Sequence, residues 1–307
     1  MINIIQKLIK EISNEKDIKC TFISNDWVTV LEKDKKVRTI TGYKFDLNKA
    51  SLAKIFDDKY ATYELLNLYD IPVIEHKLLY TKTNKNDYAN CMNDYEYIKN
   101  IYKNYNKDIV IKINKGTCGK NVKHFTNLAE IKKFYNKLSG EKSYSICPFY
   151  NIENEYRVVV LNNEIRLIYK KILPIIYGDG KSTIKELLKK YNYNYFKDYN
   201  GLNKDVVLKE NEEYKHSWKF NLSTGALASL EIDSETKNKI EEIIKKITSK
   251  LDIIFCSIDI IKTNKNSYYV LEINSGVMMK NLLIENKKIS NKIKLIYSDA
   301  IDLMFNK

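Results

Sequence analysis

Arginine is almost missing from this chain: of 52 basic residues only Arg38, Arg157 and Arg166 are arginines. Readout of base edges leans on arginine, so a net charge of +13 argues weakly for a nucleic-acid partner. The wealth of Lys, Asn, Ile and Tyr is what an AT-rich coding sequence supplies, and a basic field also draws in small anions. Histidine is as scarce, and His76, His124 and His216 have no spacing that makes a metal site or a triad. The five cysteines, Cys20, Cys91, Cys118, Cys147 and Cys256, are odd in number, scattered and free of any C-x-x-C. That pattern speaks against a disulfide framework and structural zinc, and for a reduced, cytoplasmic protein. No apolar run approaches the roughly 18 residues of a membrane span. Met1 to Ile12 puts Ile5, Leu8, Ile9 and Ile12 on one helical face, an amphipathic helix rather than a signal peptide.

What is present is led by one stretch near the end. Phe255 to Ile261 and Tyr268 to Asn274, split by a polar turn at 262–267, read as a β-hairpin. Alternation sets Tyr268, Val270, Glu272 and Asn274 on one face, with the last two roughly 7 Å apart. Folding about residues 264 and 265 sets Asp259 opposite Val270 and diagonal to Glu272. Two carboxylates and an amide oxygen among apolar neighbours call for a positive partner. Hard oxygens without His or Cys suit Mg²⁺, with Mn²⁺ as its substitute. A solvent-facing sheet surface is the alternative at this point.

In chain order, alternation from Ile18 to Thr41 predicts a short antiparallel sheet, and Ser51 to Leu68 predicts a helix ended by Pro72. Ile71 to Ile74 then reads as the start of a strand. Asp94 to Tyr105 is helical in pattern, and Asp108 to Ile113 is a strand whose charged member inside the apolar run is Lys112. The loop Asn114 to Asn121 holds Gly116, Thr117 and Gly119, two of only nine glycines, before a strand Val122 to Phe125. Such a loop can wrap backbone N–H groups around phosphate, or simply turn a hairpin. Asn127 caps a helix to Leu138, Ser143 to Tyr150 is a strand, and Glu155 to Leu161 pairs with Glu164 to Ile172 across Asn162-Asn163. Two of the arginines lie in that hairpin, suited to phosphate or carboxylate, or to ion pairs with Glu155 or Glu164. Gly178 to Thr183 lacks the first glycine of a P-loop, since position 175 is Ile, and reads instead as a turn with a Thr183/Glu186 capping box opening a helix to Tyr191. Residues 191–203 read as a polar, aromatic loop and His216 to Ala226 as another. Asp233 caps an amphipathic helix burying Ile240, Ile243, Ile244, Ile247 and Leu251.

In this order the motifs resemble the ATP-grasp superfamily, most closely its cyanophycin-synthetase-like and RimK-type glutamate ligases, from about Asp57 to Leu283. The resemblance implies an α+β ATP-grasp fold: two α+β lobes holding ATP between them, behind a short N-terminal lobe. The expected divisions are 1–58, a central part 59–150 with the glycine loop as lid, and a C-terminal part 151–307 carrying the metal site. It implies nucleotide contacts from Lys59, Lys112, Gly116, Thr117, Gly119, the hinge residues Cys147 and Tyr150, and Glu155 at the ribose. Lys171, Lys219 and Asn221 fall where the family places polar groups near phosphate and acyl phosphate, and Asp259, Glu272 and Asn274 match its metal-binding trio. The implied activity is ATP-dependent joining of a carboxylate to an amine through an acyl phosphate, releasing ADP and phosphate. The partners expected are small carboxylates and amines, or a peptide or carrier protein; a homo-oligomer is compatible, and a membrane or nucleic-acid partner is not expected. Departures are Ser275 to Lys280 where the family has Pro-Gly, Gly225-Ala226 for Gly-Gly, and lysine at 171 and 219 for the commoner arginine.

Overall fold

The computed structural model describes residues 3–81, 94–116, 119, 121–139, 142–173, 175–190, 205–215, 218–222, 226–285 and 289–306. Helix α1 (Ile4–Glu15) opens on Asn3, whose side chain accepts from the N–H groups of Ile5 and Gln6 while Gln6 returns a bond. Its apolar face buries Ile5, Ile9 and Ile12. The alternating segment that follows forms an antiparallel meander of β1 (Lys19–Ile23), β2 (Val28–Lys33), β3 (Lys36–Thr41) and β4 (Lys44–Phe45).

The single helix expected over Ser51–Leu68 is two, α2 (Ala50–Phe56) and α3 (Lys59–Asn67). Asp58 breaks it by leaving helical geometry: its carboxylate accepts from the Ala61 N–H at 3.0 Å and from the Asn114 amide at 2.8 Å. Capping by Asp satisfies an otherwise orphaned donor and contributes about 1 kcal/mol. The break makes Lys59 the first residue of α3. Residues 71–74 do not form the expected strand. Pro72 has no N–H to give a ladder, and the stretch makes one parallel bridge, Val73 to Val270. The strand begins later, as β5 (Lys77–Tyr80).

A second sheet follows with α4 (Tyr95–Asn104), β6 (Ile109–Ile113), β7 (Lys123–Phe125), α5 (Leu128–Asn136) and β8 (Ser143–Pro148), ordered β5-β8-β6-β7. Ile109, Ile111 and Ile146 face the two helices and pack with Ile98, Ile101 and Ile131. Strand alternation therefore turns Val110, Lys112 and Cys147 the other way.

The remaining chain gives β9 (Ile152–Leu161), β10 (Glu164–Ile172), β11 (Ile175–Tyr177), α6 (Ile184–Lys190), β12 (Glu213–Lys215), β13 (Leu227–Ser229), α7 (Ser234–Lys250), β14 (Phe255–Thr263), β15 (Tyr268–Asn274), α8 (Lys280–Glu285) and α9 (Ser290–Asn306). Thr183 and Glu186 do exchange capping bonds at the start of α6, and the loop expected at 191–203 lies outside the described residues. Five strands order as β13-β10-β9-β14-β15. One face of that sheet packs Val158, Val160, Ile258 and Ile260 under the isoleucines of α7. Part of the opposite face shares a core with α1, the meander and α9, through Val159, Leu161, Phe255, Ile5, Leu31 and Tyr297.

The β14–β15 hairpin differs from expectation in register. Ile260 pairs with Val270 but Asp259 pairs with Glu272, because a bulge at Leu271 adds one residue to β15. Val270 thus faces the α7 core while Glu272 and Asn274 turn to the opposite face, and Asp259 stands directly beside Glu272. Alternation alone would have left Val270 beside the carboxylates.

Candidate active site

Between the β5-β8-β6-β7 sheet and the five-stranded sheet lies a cavity of about 620 Å³, within the usual range for small-molecule sites. Its walls include Lys59, Lys112, Gly116, Gly119, Cys147, Tyr150, Glu155, Lys171, Lys219, Asn221, Asp259, Glu272 and Asn274. The structure brings together every site residue expected from sequence except Thr117, which lies outside the described residues.

The central strands carry a buried ion network. Arg157 on β9 donates to both oxygens of Asp259, at 2.7 and 2.6 Å, and Lys171 on β10 reaches Asp259 at 3.0 Å. Lys171 also donates to Glu155. The arginines therefore do not pair with Glu155 or Glu164 as considered above: Arg157 takes Asp259, and Arg166 takes Asp299. Register explains it, since Asp259 lies opposite Arg157 across β9 and β14. Burial alone would raise the Asp259 carboxyl, but Arg157 and Lys171 overcome it and hold the acid far below the usual carboxylate range. Glu155 goes the other way: burial pushes it up to about 7 against the pull of Lys171, whose charge is shared with Asp259.

That shift has a pH consequence. A carboxyl whose folded value is raised stabilises the fold fully below its unfolded value, near 4.5, and loses that contribution as pH rises through about 7. Without ligands, thermal unfolding is expected at lower temperature at pH 8 than at pH 6, and Glu155→Gln should flatten this dependence. Parallel melting curves of the two proteins check it; equal slopes would contradict the shift.

Lys112 behaves differently from Lys171. It is 6% exposed, faces the cavity and has no hydrogen-bond or ion-pair partner among the described residues. Lys59 is fixed by the α2–α3 break: Asn114 accepts the Tyr60 N–H at 3.0 Å and ties α3 to the end of β6, while the Lys59 ammonium donates to the Gly116 carbonyl at 2.6 Å. It stands 3.7 Å from Glu272. Burial and the neighbouring Lys112 draw its pKa down, Glu272 opposing. Glu272 in turn accepts from Asn274 at 3.2 Å. Among the described residues no three His, Cys, Asp or Glu side chains gather as a metal site; the oxygen donors are the paired Asp259 and Glu272 with the Asn274 amide.

Over 82% of its length this chain superposes on 67% of D-alanine–D-alanine ligase from Bacillus anthracis, with TM-score 0.51 and 14% identity. D-cycloserine synthetase DcsG matches with TM-score 0.51 and 13% identity, over 83% of this chain and 73% of its own. Residues 202–298 match the family model of the RimK-like ATP-grasp domain. The chain has the ATP-grasp fold. The matched residues include β14 and β15. In sequence, glutathione biosynthesis bifunctional protein GshAB of Listeria welshimeri is 24% identical over 219 residues, which is 61% of this chain and 28% of that protein. The chain thus spans less than a third of the curated relatives' length.

Some side chains of this cavity were not assigned to the site from the sequence. Arg157 and Ser257 line it, and the Ser257 hydroxyl is buried without a partner among the described residues. A serine two residues before Asp259 on the same strand face is the only hint, and parity alone could have found it. Phe149, His124 and Trp218 form a ring cluster, with Phe149 to His124 centroids at 4.0 Å and Phe149 to Trp218 at 5.6 Å. The ammonium of Lys219 lies 5.7 Å from the Trp218 ring. Because Trp218 contacts the stretch just after β8 from a loop beyond β12, it closes the apolar end built by Val110, Cys147, Phe149 and Tyr150. Trp218→Ala is expected to raise the KM for ATP about tenfold with a smaller change in kcat, since a base–aromatic contact is worth about 1–3 kcal/mol. Steady-state kinetics with varied ATP check it, and an unchanged KM would remove Trp218 from the nucleotide site.

Among the described residues no helix is long and apolar enough to cross a membrane.

Proposed function

We propose that this protein is an ATP-dependent carboxylate–amine ligase, with the nucleotide held between the central part 59–150 and the C-terminal part 151–307. The observation that carries the reading is the Lys112 side chain, 6% exposed and without a hydrogen-bond or ion-pair partner among the described residues, facing a cavity beside Lys59 and Glu272. A buried cation without a counter-charge is costly, and a phosphate chain supplies one. The GshAB relatives and the D-alanine–D-alanine ligase and D-cycloserine synthetase folds are consistent with amide or peptide bond formation.

In the reaction, a substrate carboxylate oxygen attacks the γ-phosphorus of ATP and the bond to the β-bridging oxygen breaks, leaving ADP and an acyl phosphate. The amine nitrogen then attacks the acyl carbon, phosphate departs and the nitrogen loses a proton. Lys112 and Lys59 neutralise the phosphate chain and hold it in line. The N–H groups of the loop holding Gly116, Thr117 and Gly119 would cover it. Lys219 and Asn221 are assigned to the oxyanion that forms at the acyl carbon. Cys147 and Tyr150 bound the adenine end, and Glu155, with its lifted pKa, is placed to meet ribose. Lys171 serves chiefly to neutralise Asp259 and Glu155, a role in holding charge rather than in reaching phosphate. Glu272, Asn274 and the one lone pair left on Asp259 beside Arg157 and Lys171 offer the hard oxygens that suit Mg²⁺, which when bound would neutralise phosphoryl charge. Carboxylate activation is tested by supplying ¹⁸O-carboxylate amino acids with ATP. One ¹⁸O in the released phosphate is expected, and phosphate labelled only from water would contradict it.

A further inference from the structure

The cavity has a second apolar end, in a different hydrophobic cluster from the one at Cys147 and Tyr150. The nucleotide end belongs with Ile74, Val110 and Cys147; the far end joins the core of α1, the meander and α9 through Tyr43, Leu222 and Leu282. Lys59, Lys112, Arg157, Asp259 and Glu272 form the charged belt between them. The far end is lined by Trp27, Tyr43, Met278 and Leu282. Its ionic pair, Lys44 with Asp57, is satisfied internally, and Asp57 also accepts from Ser275 at 3.0 Å.

This wall is built firmly. The stretch after Asn274 is tied by the Val277 N–H to the Tyr43 carbonyl at 3.0 Å, and Tyr297 takes the Met279 N–H at 3.2 Å while donating to the Val277 carbonyl at 3.0 Å. Met278 is thereby presented to the cavity. Trp27, which also lines the cavity, is 60% exposed yet located, because its indole lies over Gly42, where a Cβ would come within 2.6 Å of the ring. Gly42 has φ +61°, the left-handed region that favours glycine. A large ring held in place and left open to a cavity is the kind of surface that binds an apolar group.

We infer that this end is a substrate pocket for an aromatic or branched aliphatic side chain, with Trp27 as its specificity-determining residue. The inference rests on the ligase reading, which supplies the reacting carboxylate or amine at the charged belt. It sets this chain apart from the glutamate ligases that its motifs resemble, because the cation that lines the far end, Lys44, is already paired with Asp57 rather than open to a side-chain carboxylate.

The chain has two tryptophans, so Trp218→Phe leaves Trp27 as the sole indole emitter while keeping a ring at 218. With ADP and Mg²⁺ present, Trp27 emission in this variant is expected to titrate with L-phenylalanine and L-leucine, at least tenfold more tightly than with L-glutamate or glycine. In the otherwise native protein, Trp27→Ala should weaken L-phenylalanine binding at least tenfold by calorimetry and leave ATP affinity unchanged, with Trp27→Phe restoring it. Preference for glutamate or glycine, or no response to any of the four while ATP binds, overturns the pocket and leaves the ligase reading standing. Failure to bind ATP overturns both.

Discussion

Asp259→Asn is expected to lower stability by about 3–5 kcal/mol, the usual cost of removing one partner from a buried ion pair. The amide would keep the shape of the side chain but leave Arg157 and Lys171 facing one another with only Glu155 to offset them. Asp259 is 1% exposed and sits in the interior strand β14, so water cannot take over. Chemical denaturation of the ligand-free variant measures the loss. Glu272→Gln is the control, because Glu272 lies on edge strand β15, is only partly buried and faces Lys59 at 3.7 Å. Its stability should change by less than about 1 kcal/mol, the range of exposed pairs. If Asp259→Asn were equally mild, the network would be decoration and Asp259 free for metal alone.

Turnover should rank these residues differently. Glu272→Gln and Lys112→Met are each expected to lower ATP-dependent product formation by at least about 100-fold, the scale on which enzymes lose an electrostatic contact to developing charge. Lys112→Met carries a second expectation of opposite sign. Replacing an ammonium that has no counter-charge among the described residues by a thioether of similar length removes that charge from a side chain 6% exposed, so the ligand-free protein should be as stable as the parent or more so. Initial rates and melting temperatures on the same preparation test the pair. A Lys112→Met protein that keeps its turnover would remove the residue from the phosphate site, and one that unfolds would make it structural.

Much of this was legible in the sequence because period and capping carry most of the fold. The α7 isoleucines, the Asn127 and Asp233 caps and the β9–β10 hairpin follow from local residues. Lys112 stands out as a lone charge in an apolar strand, and strand parity then turns it away from the α4–α5 core. The errors came where tertiary contacts override local pattern. Asn114, far along the chain, holds Asp58 as a cap and splits a helix whose periodicity runs on. The turn closes so that Ile260, not Asp259, stands opposite Val270, and the bulge at Leu271 adds one residue more, which periodicity cannot detect; together they make Asp259 and Glu272 neighbours. The pairing of Arg157 with Asp259 spans 102 positions and depends on register between strands that no local signal connects. The second apolar end needs Trp27, set over Gly42, and Met278 to line one cavity from opposite ends of the chain.

The most direct test of the account is ADP and phosphate release by the purified protein with ATP and Mg²⁺, across pooled amino acids and small carboxylic acids, with mass spectrometry of the products. ADP release that depends on both a carboxylate and an amine is expected, with a product lighter than their sum by one water. ADP release indifferent to every carboxylate and amine, or a failure to bind ATP, would contradict it.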